Sequence, residues 1–347
     1  MADFHVRPLA RQEVPNYRSS FAEMAGIKPE ECDADLTFTD WWFFGDPTNQ
    51  GLYVGAFDGN RLVGVVGFAA QFFRVGGSRV SAAILSSAFT HADYRGKGLF
   101  SRLITHLVTA AGERGHHAVF GWPNEAALRI YVGRLGFSTL FHPNRHARPV
   151  VWQPVAERFG GFGARAIEYF GSAFDRVLPL HLGGYQYTVG PTTEQEWTAF
   201  MDRAYAESPC ILERSWAYLR WRLSRPGREY LEVQVRDDKG VLCAWAAVRL
   251  SAPGERQSRL QLGDYVIAPR KRSALRALAA ACAEEARRRA IQQVYAVARS
   301  PKVADSLTSL GFVSLRSVTP IVAISPVGRD LSAYRKWDFR DADVDMF

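Results

Sequence analysis

Apolar positions along this 347-residue chain recur with two different periods. The run Leu52-Tyr53-Val54-Gly55-Ala56-Phe57 predicts a strand, Asp58-Gly59-Asn60 a turn, and the apolar residues from about Leu62 its hairpin partner. Residues 82–90 predict another strand. From Leu99 the period changes: Leu99, Leu103 and Leu107, with Phe100, Ile104, Val108 and Ala111, recur at spacings of three and four. That spacing places them on one face of a helix packed on a sheet.

The same order of features returns later in the chain. Trp42 and Pro47 stand five apart ahead of the first strand; Trp221 and Pro226 stand five apart ahead of a second, 230–235. A turn follows at Asp237-Asp238-Lys239-Gly240, then an apolar strand from about Val241, a strand ending near Ile267, a basic loop, an apolar-striped helix and a further strand. Both series close on Leu-Gly-Phe, at 135–137 and 310–312; 41 positions separate Arg95 from Gly136 and 40 separate Lys271 from Gly311. Agreement in order and spacing predicts two similar α/β domains, 1–154 and 186–347. Between them, 155–185 reads as a linker, a short helix around 164–170 among glycine turns. The charge run at 283–290, acid before base, describes a solvated helix face.

The junction between strand 82–90 and the helix from Leu99 carries the clearest chemistry. Its sequence is Tyr94-Arg95-Gly96-Lys97-Gly98. The first N–H groups of a helix have no internal partner, and the helix dipole adds partial positive charge there. Glycines at 96 and 98 admit phosphate oxygens to the backbone, while Arg95 and Lys97 supply charge. Such a loop suits a pyrophosphate.

At these residues the chain resembles the GNAT superfamily of N-acetyltransferases, whose pyrophosphate loop reads Gln/Arg-x-x-Gly-x-Gly/Ala. Arg95 and Gly98 match; Phe100 departs from the last position, so either the helix start is displaced or the ring covers part of the cofactor. The resemblance runs through Pro123-Asn124 to Leu135-Gly136-Phe137. It implies acetyl-CoA or another acyl-CoA as co-substrate, held by Arg95, Gly96, Lys97, Gly98, Leu99, Phe100 and Ser101, with Phe89 and Thr90 pairing the pantetheine amides and Asn124 nearby. Asn124 also reads as a turn residue beside proline. It further implies an α/β fold of two tandem GNAT-like domains, each a mixed, mostly antiparallel sheet flanked by helices with splayed central strands. The second loop, Ala268-Pro269-Arg270-Lys271-Arg272-Ser273, has no glycine and a proline that removes an N–H. That copy reads as degenerate, binding no pyrophosphate and contributing to the acceptor cleft.

Amide formation from a thioester needs a neutral amine, a stabilised oxyanion and a proton for the thiolate. The family often takes that proton from a tyrosine four residues before the Gly of Gly-Phe, a position held here by Val132. Tyr131 is its neighbour, but an offset of about 100° turns it away unless the helix is irregular; it is the candidate acid or a packing tyrosine. Strand 82–90 contains no carboxylate. Asp264, among apolar neighbours on the second copy's central strand, is the candidate base, with a capping hydrogen bond as its alternative. Asp46 reads as a turn former, His91 and His117 as structural, and Trp122 as a core residue or a stacking surface for an acceptor ring.

Composition narrows the reading further. A net charge of +8 is dispersed and accompanied by no nucleic-acid-binding pattern, so no nucleic acid partner is expected. Four scattered cysteines read as small buried hydrophobes, without a metal site. No run approaches the roughly 18 apolar residues of a membrane helix, and no leader is evident, so a cytoplasmic protein off the membrane is expected. The resulting expectation is transfer of an acetyl or other short acyl group to a small-molecule primary amine. The tandem layout and the Trp-x4-Pro features resemble sugar N-acyltransferases, which makes an amino sugar, free or nucleotide-linked, the leading acceptor. The alternatives are an amino acid, peptide or aminoglycoside amine, or a non-catalytic acyl-CoA-binding regulator.

Overall fold

The computed structural model describes residues 4–152, 156, 161–250, 258–269, 271–316 and 319–344, without the side chains of 161–164, 167, 168, 172, 272 and 316. In chain order the first part runs β1 (His5–Pro8), α1 (Arg18–Ala25), α2 (Asp33–Thr39), β2 (Leu52–Asp58), β3 (Arg61–Val75), β4 (Ser78–Thr90), α3 (Leu99–Glu113), β5 (Ala118–Gly121), α4 (Glu125–Arg134) and β6 (Ser138–Phe141). Then come β7 (Asn144–Pro149), α5 (Gly161–Val177), β8 (Gln186–Val189), α6 (Glu194–Tyr205), β9 (Cys210–Leu212) and α7 (Trp216–Leu223). The chain continues with β10 (Tyr230–Arg236), β11 (Leu242–Leu250), β12 (Arg259–Ile267), α8 (Arg272–Arg288), β13 (Gln293–Ala298), α9 (Pro301–Ser309), β14 (Val313–Arg316) and β15 (Ile321–Ile324).

These elements build two compact units, one of residues 1–141, 209–228 and 319–336, the other of 142–208, 229–318 and 337–347. The first contains a sheet in the order β1-β2-β3-β4-β5-β15-β6, with β9 added to β3; the second has the order β14-β7-β13-β12-β11-β10-β8. Each sheet is antiparallel except at one junction, β4 with β5 and β12 with β13. Two mixed, mostly antiparallel sheets with flanking helices are the fold expected from the sequence.

The units are not the contiguous halves 1–154 and 186–347, and 155–185 belongs to the second unit. Each half gives up its last strand. β15 enters the first sheet between β5 and β6, and β7 enters the second between β13 and β14. An exchanged strand has the same neighbours in kind wherever it docks, so its residue pattern carries no sign of the exchange. The segment 209–228 joins the first unit as well, which puts both tryptophans of the repeat in one core. Trp42 and Trp221 stack at 5.4 Å, and Trp41 and Trp221 each donate an indole N–H to the other's carbonyl, at 3.0 and 3.1 Å.

Local rules account for the first unit's core. Gly59, at φ 56°, turns the β2–β3 hairpin. The apolar stripe of α3, Leu99, Leu103, Ile104 and Leu107, is fully buried against Val54, Val63, Phe68 and Ala83 of the sheet. Four such side chains contribute roughly 1.5–3 kcal/mol each relative to exposure, enough to fix the helix, and hence its N-terminus, on the sheet. None of the four cysteines is in a disulfide, and all four are buried.

Candidate functional site

The site begins where two parallel strands part. β4 pairs with β5 only over Ala82–Ile84 and Ala118–Phe120; β5 then stops at Gly121 while β4 runs on to Thr90. On its other side β4 is irregular. Val65 pairs with Phe89 but Gly67 with Ser86, so β4 carries an extra residue opposite Val66. Ser87 there adopts φ 53°, rare for a residue with a side chain. Past Ile84 β4 is no longer paired with β5, and the bulge interrupts its other side, which leaves a notch whose backbone groups on the β5 side pair with no described strand. Phe89, 37% exposed, and the half-buried Thr90 lie on this free end.

Beyond Thr90 the chain reaches α3 through the glycine loop. Gly96 and Gly98 hold φ of 74° and 79°, and a Cβ built on either meets nothing within 4 Å. The protein itself therefore does not fill the space over both glycines. Gly98 is the N-cap; no side chain caps this end and no acid lies in its first turn. Arg102 N–H bonds Gly98 O at 3.1 Å, so the amides of Leu99, Phe100 and Ser101 precede the first bond of the helix. Arg95 Nε donates to Thr90 O at 3.3 Å, and the Lys97 ammonium lies 5.0 Å from the Tyr94 ring, whose hydroxyl donates to Asp58 at 2.7 Å. Exposed cations, open glycines and three free amides fit an anion such as pyrophosphate.

Phe100 takes the inward of the two expected courses. Its ring is half-buried and packs edge-to-face on Tyr131 at 5.6 Å, and Tyr131 packs in turn on Phe137 at 4.7 Å. Tyr131 is 4% exposed, whereas Val132 is 44% exposed. The helix end explains why the tyrosine, one position early, faces inward. Phe137 N–H reaches back six residues to Tyr131 O, and Leu135 N–H five residues to Ile130 O, so the last turn holds one residue more than usual. In the second unit the matching bond, Phe312 N–H to Leu307 O, spans five. Tyr131 and the buried Leu307 are thus structural counterparts, and the extra residue cancels the offset in the sequence. The Tyr131 ring carbons Cε1 and Cζ lie 3.6 Å from where a Cβ on Gly121 would stand, at the end of β5. Its hydroxyl has no hydrogen-bond partner among the described residues, and burial pushes its pKa well above that of a free phenol.

The other sequence candidates disperse. Asn124 caps α4, accepting from Ala127 N–H at 2.9 Å. Asp46 accepts from Thr48 and Gly51 N–H groups and shapes the turn before β2. His91 accepts from Asp93 N–H and contacts Arg61 at 3.0 Å; His117 lies 3.3 Å from the Tyr334 hydroxyl. Asp264 is buried on β12 of the second unit, paired in register with Ala247 beside a bulge at Gly263. In the second loop Arg270 lies outside the described residues, and Lys271, at φ −101°, has none of the left-handed geometry of Gly98. No group of acids, histidines and cysteines able to hold a metal occurs among the described residues.

Two polar residues escape a reading of the sequence. Ser86 and Gln71 are buried, and the Ser86 hydroxyl and both polar atoms of the Gln71 amide lack partners among the described residues. Gln71 pairs with Ala82 and Ser86 with Gly67, which sets both side chains on one face of the sheet. That face is opposite the one bearing Phe68 and Ala83, which packs α3. A glutamine in the otherwise apolar interior of β3 is the available signal, since a strand interior of that kind rarely holds one unpaired.

Residues 5–140 match the model of the Acetyltransferase (GNAT) domain. A curated "uncharacterized N-acetyltransferase" of Streptomyces avermitilis is 28% identical over 162 residues, 46% of this chain and 37% of that protein. A probable N-acyltransferase from Enterococcus faecalis superposes with TM-score 0.65 at 11% identity, covering 96% of this chain and 74% of that one. A tandem GNAT protein from the clavulanic acid biosynthesis pathway superposes with TM-score 0.57 at 15% identity, covering 94% of this chain and all of the other. The structural likenesses show the fold, and the family match places an acetyltransferase (GNAT) domain at residues 5–140.

Proposed function

We propose that this protein is a CoA-dependent N-acyltransferase that moves an acetyl or other short acyl group from acyl-CoA to a primary amine. One observation carries the reading: a strand notch, an open glycine loop with free helix amides, and a buried phenol at the end of β5 all belong to the first unit. Gly96, Gly98 and the amides of Leu99, Phe100 and Ser101 would hold the diphosphate, with Arg95 and Lys97 balancing its charge. Backbone groups of β4 near Phe89 and Thr90 would pair the pantetheine.

In this reading the neutral amine attacks the thioester carbonyl, β4 amides at the notch stabilise the oxyanion, and its collapse expels the thiolate. Tyr131 gives the thiolate its proton; burial keeps the phenol protonated across the working pH range, as that role requires. The amine must lose a proton, and Asp264 enters as the group that accepts it. Asp264→Asn is then expected to lower kcat by roughly 100-fold or more with acyl-CoA affinity unchanged. Wild-type kcat from pH 6 to 9 with a lowered Tm would make Asp264 a structural residue.

The acceptor class is favoured by the unpartnered Ser86 hydroxyl and Gln71 amide, since buried polar groups leave about 1–3 kcal/mol to be recovered by a hydrogen-bonding ligand. A hydroxylated amine, such as an amino sugar, free or nucleotide-linked, supplies those bonds. A cytoplasmic location goes with the acyl-CoA requirement. No helix among the described residues is long and apolar enough to cross a membrane. The test is thiol release from acetyl-CoA over a panel of amino sugars, amino acids, peptides and aminoglycosides. Acyl-CoA binding with turnover of none of them would leave a regulator.

A further inference from the structure

The second unit contains two adjoining cavities of about 610 and 360 Å³ that share the walls Ser273 and Ser306. Both lie between the start of α8 and α9, the larger at the first turn of α9 and the smaller at its last, and both have apolar side chains in their walls, Leu275 and Val303 in the larger, Leu182 and Leu310 in the smaller. The charged groups stand at the two ends. Lys271 and Lys302 line the larger cavity with Glu207 as its acidic member, and Lys271 also meets Asp237 at 3.4 Å. Arg276 and His181 line the smaller, where no described lining residue is acidic. At the junction the Tyr185 and Ser273 hydroxyls are 2.8 Å apart.

The spacing of the ends follows from helix geometry. On α9 the lining residues Lys302, Ser306 and Ser309 follow one stripe, and at about 1.5 Å per residue the stripe is roughly 10 Å long. On the α8 side Lys271 and Arg276, cations of the two ends, are five residues and so roughly 8 Å apart along the helix. A continuous groove with cations at both ends, hydroxyls between and an apolar lining matches a molecule with an anionic group at each end.

We propose that the second unit binds a small bis-anionic ligand, with phosphate or carboxylate groups roughly 8–10 Å apart, in this groove. The ligand is not the CoA diphosphate, because the loop before α8 has no glycine and Lys271 does not adopt the conformation that opens the loop before α3. This site stands or falls independently of the acyl-CoA reading of the first unit.

The test is calorimetric titration of the full chain, saturated with acetyl-CoA, with fructose 1,6-bisphosphate and with suberate, against inorganic phosphate and acetate as single-ended controls. One bis-anion is expected to bind once per chain at least tenfold more tightly than its control, and which one does so separates phosphate from carboxylate recognition. Lys302→Glu and Arg276→Glu are each expected to weaken it at least tenfold. Both residues are exposed, so circular dichroism should show the fold retained, and Lys302→Ala and Arg276→Ala stand in if it is not. The proposal is overturned if neither bis-anion binds saturably, if only one end's variant matters, or if the double variant binds as wild type. It is equally overturned if binding vanishes in Gly98→Val, which would locate it at the loop of the first unit.

Discussion

Replacing Tyr131 with phenylalanine removes one oxygen and leaves every ring contact in place. The ring is held by Phe100 at 5.6 Å, Phe137 at 4.7 Å and the backbone at Gly121, none of which involves the hydroxyl. The hydroxyl makes no hydrogen bond with the described residues and is not among the fully buried polar atoms, so its deletion breaks no bond and leaves no buried group unpaired. Stability should therefore hold, with Tm little changed. Loss of a positioned general acid typically lowers the rate by about 10²–10⁴-fold, equivalent to roughly 3–5 kcal/mol of barrier. A thiol-release assay at saturating acyl-CoA and amine, with calorimetric acyl-CoA affinity and a melting curve on the same sample, reads all three quantities. The expected pattern is kcat down at least 100-fold, affinity within twofold and Tm little changed. A variant with kcat within threefold of wild type would refute the role and leave Tyr131 as a packing residue, with the thiolate protonated by water.

Gly98→Val forces a β-branched residue to φ 79° and places side-chain atoms in the open space over the loop; acyl-CoA affinity should fall by about 2 kcal/mol, roughly 30-fold, and unchanged calorimetric affinity would remove the loop from the site. The fragment 1–154 lacks β15, whose Ile321, Val322 and Ala323 are fully buried between β5 and β6, and lacks the Trp221 stack; it should show no cooperative unfolding, and a cooperative fragment with native acyl-CoA affinity would contradict the strand exchange. His116 is fully buried, and burial, helped by the charge of Arg114, lowers its pKa to about 4. Its unfolded form takes up a proton near pH 6.5 that the folded form refuses, so its contribution is complete above about pH 6.5 and is lost as pH falls toward 4, on the order of 3 kcal/mol. His116→Gln should flatten denaturation midpoints over that window, reduced rather than abolished because His117 and His146 are lowered in the same direction; an unaltered slope would exclude this account.

The chain's local order was legible without coordinates wherever short-range physics decides it. The hairpin turn at Gly59, the helix from Leu99 and the glycine loop before it depend on residue period, backbone freedom and free helix amides, all of which are properties of neighbours in sequence. So was the repeat, because two copies of one fold keep the same order of elements. Three features were decided only by the folded molecule. Tyr131 was one position out of place until the wide last turn of α4 rotated it inward, and a single extra residue in a helix end leaves no mark in composition or spacing. Ser86 and Gln71 became candidates only when strand register put them, unpartnered, on the same buried face. The exchange of β7 and β15 moved the boundaries of both units, since a strand's side-chain pattern states that it needs two neighbours and a buried face but not which sheet provides them; that choice is made by chain connectivity and packing across residues separated by more than 140 positions in sequence.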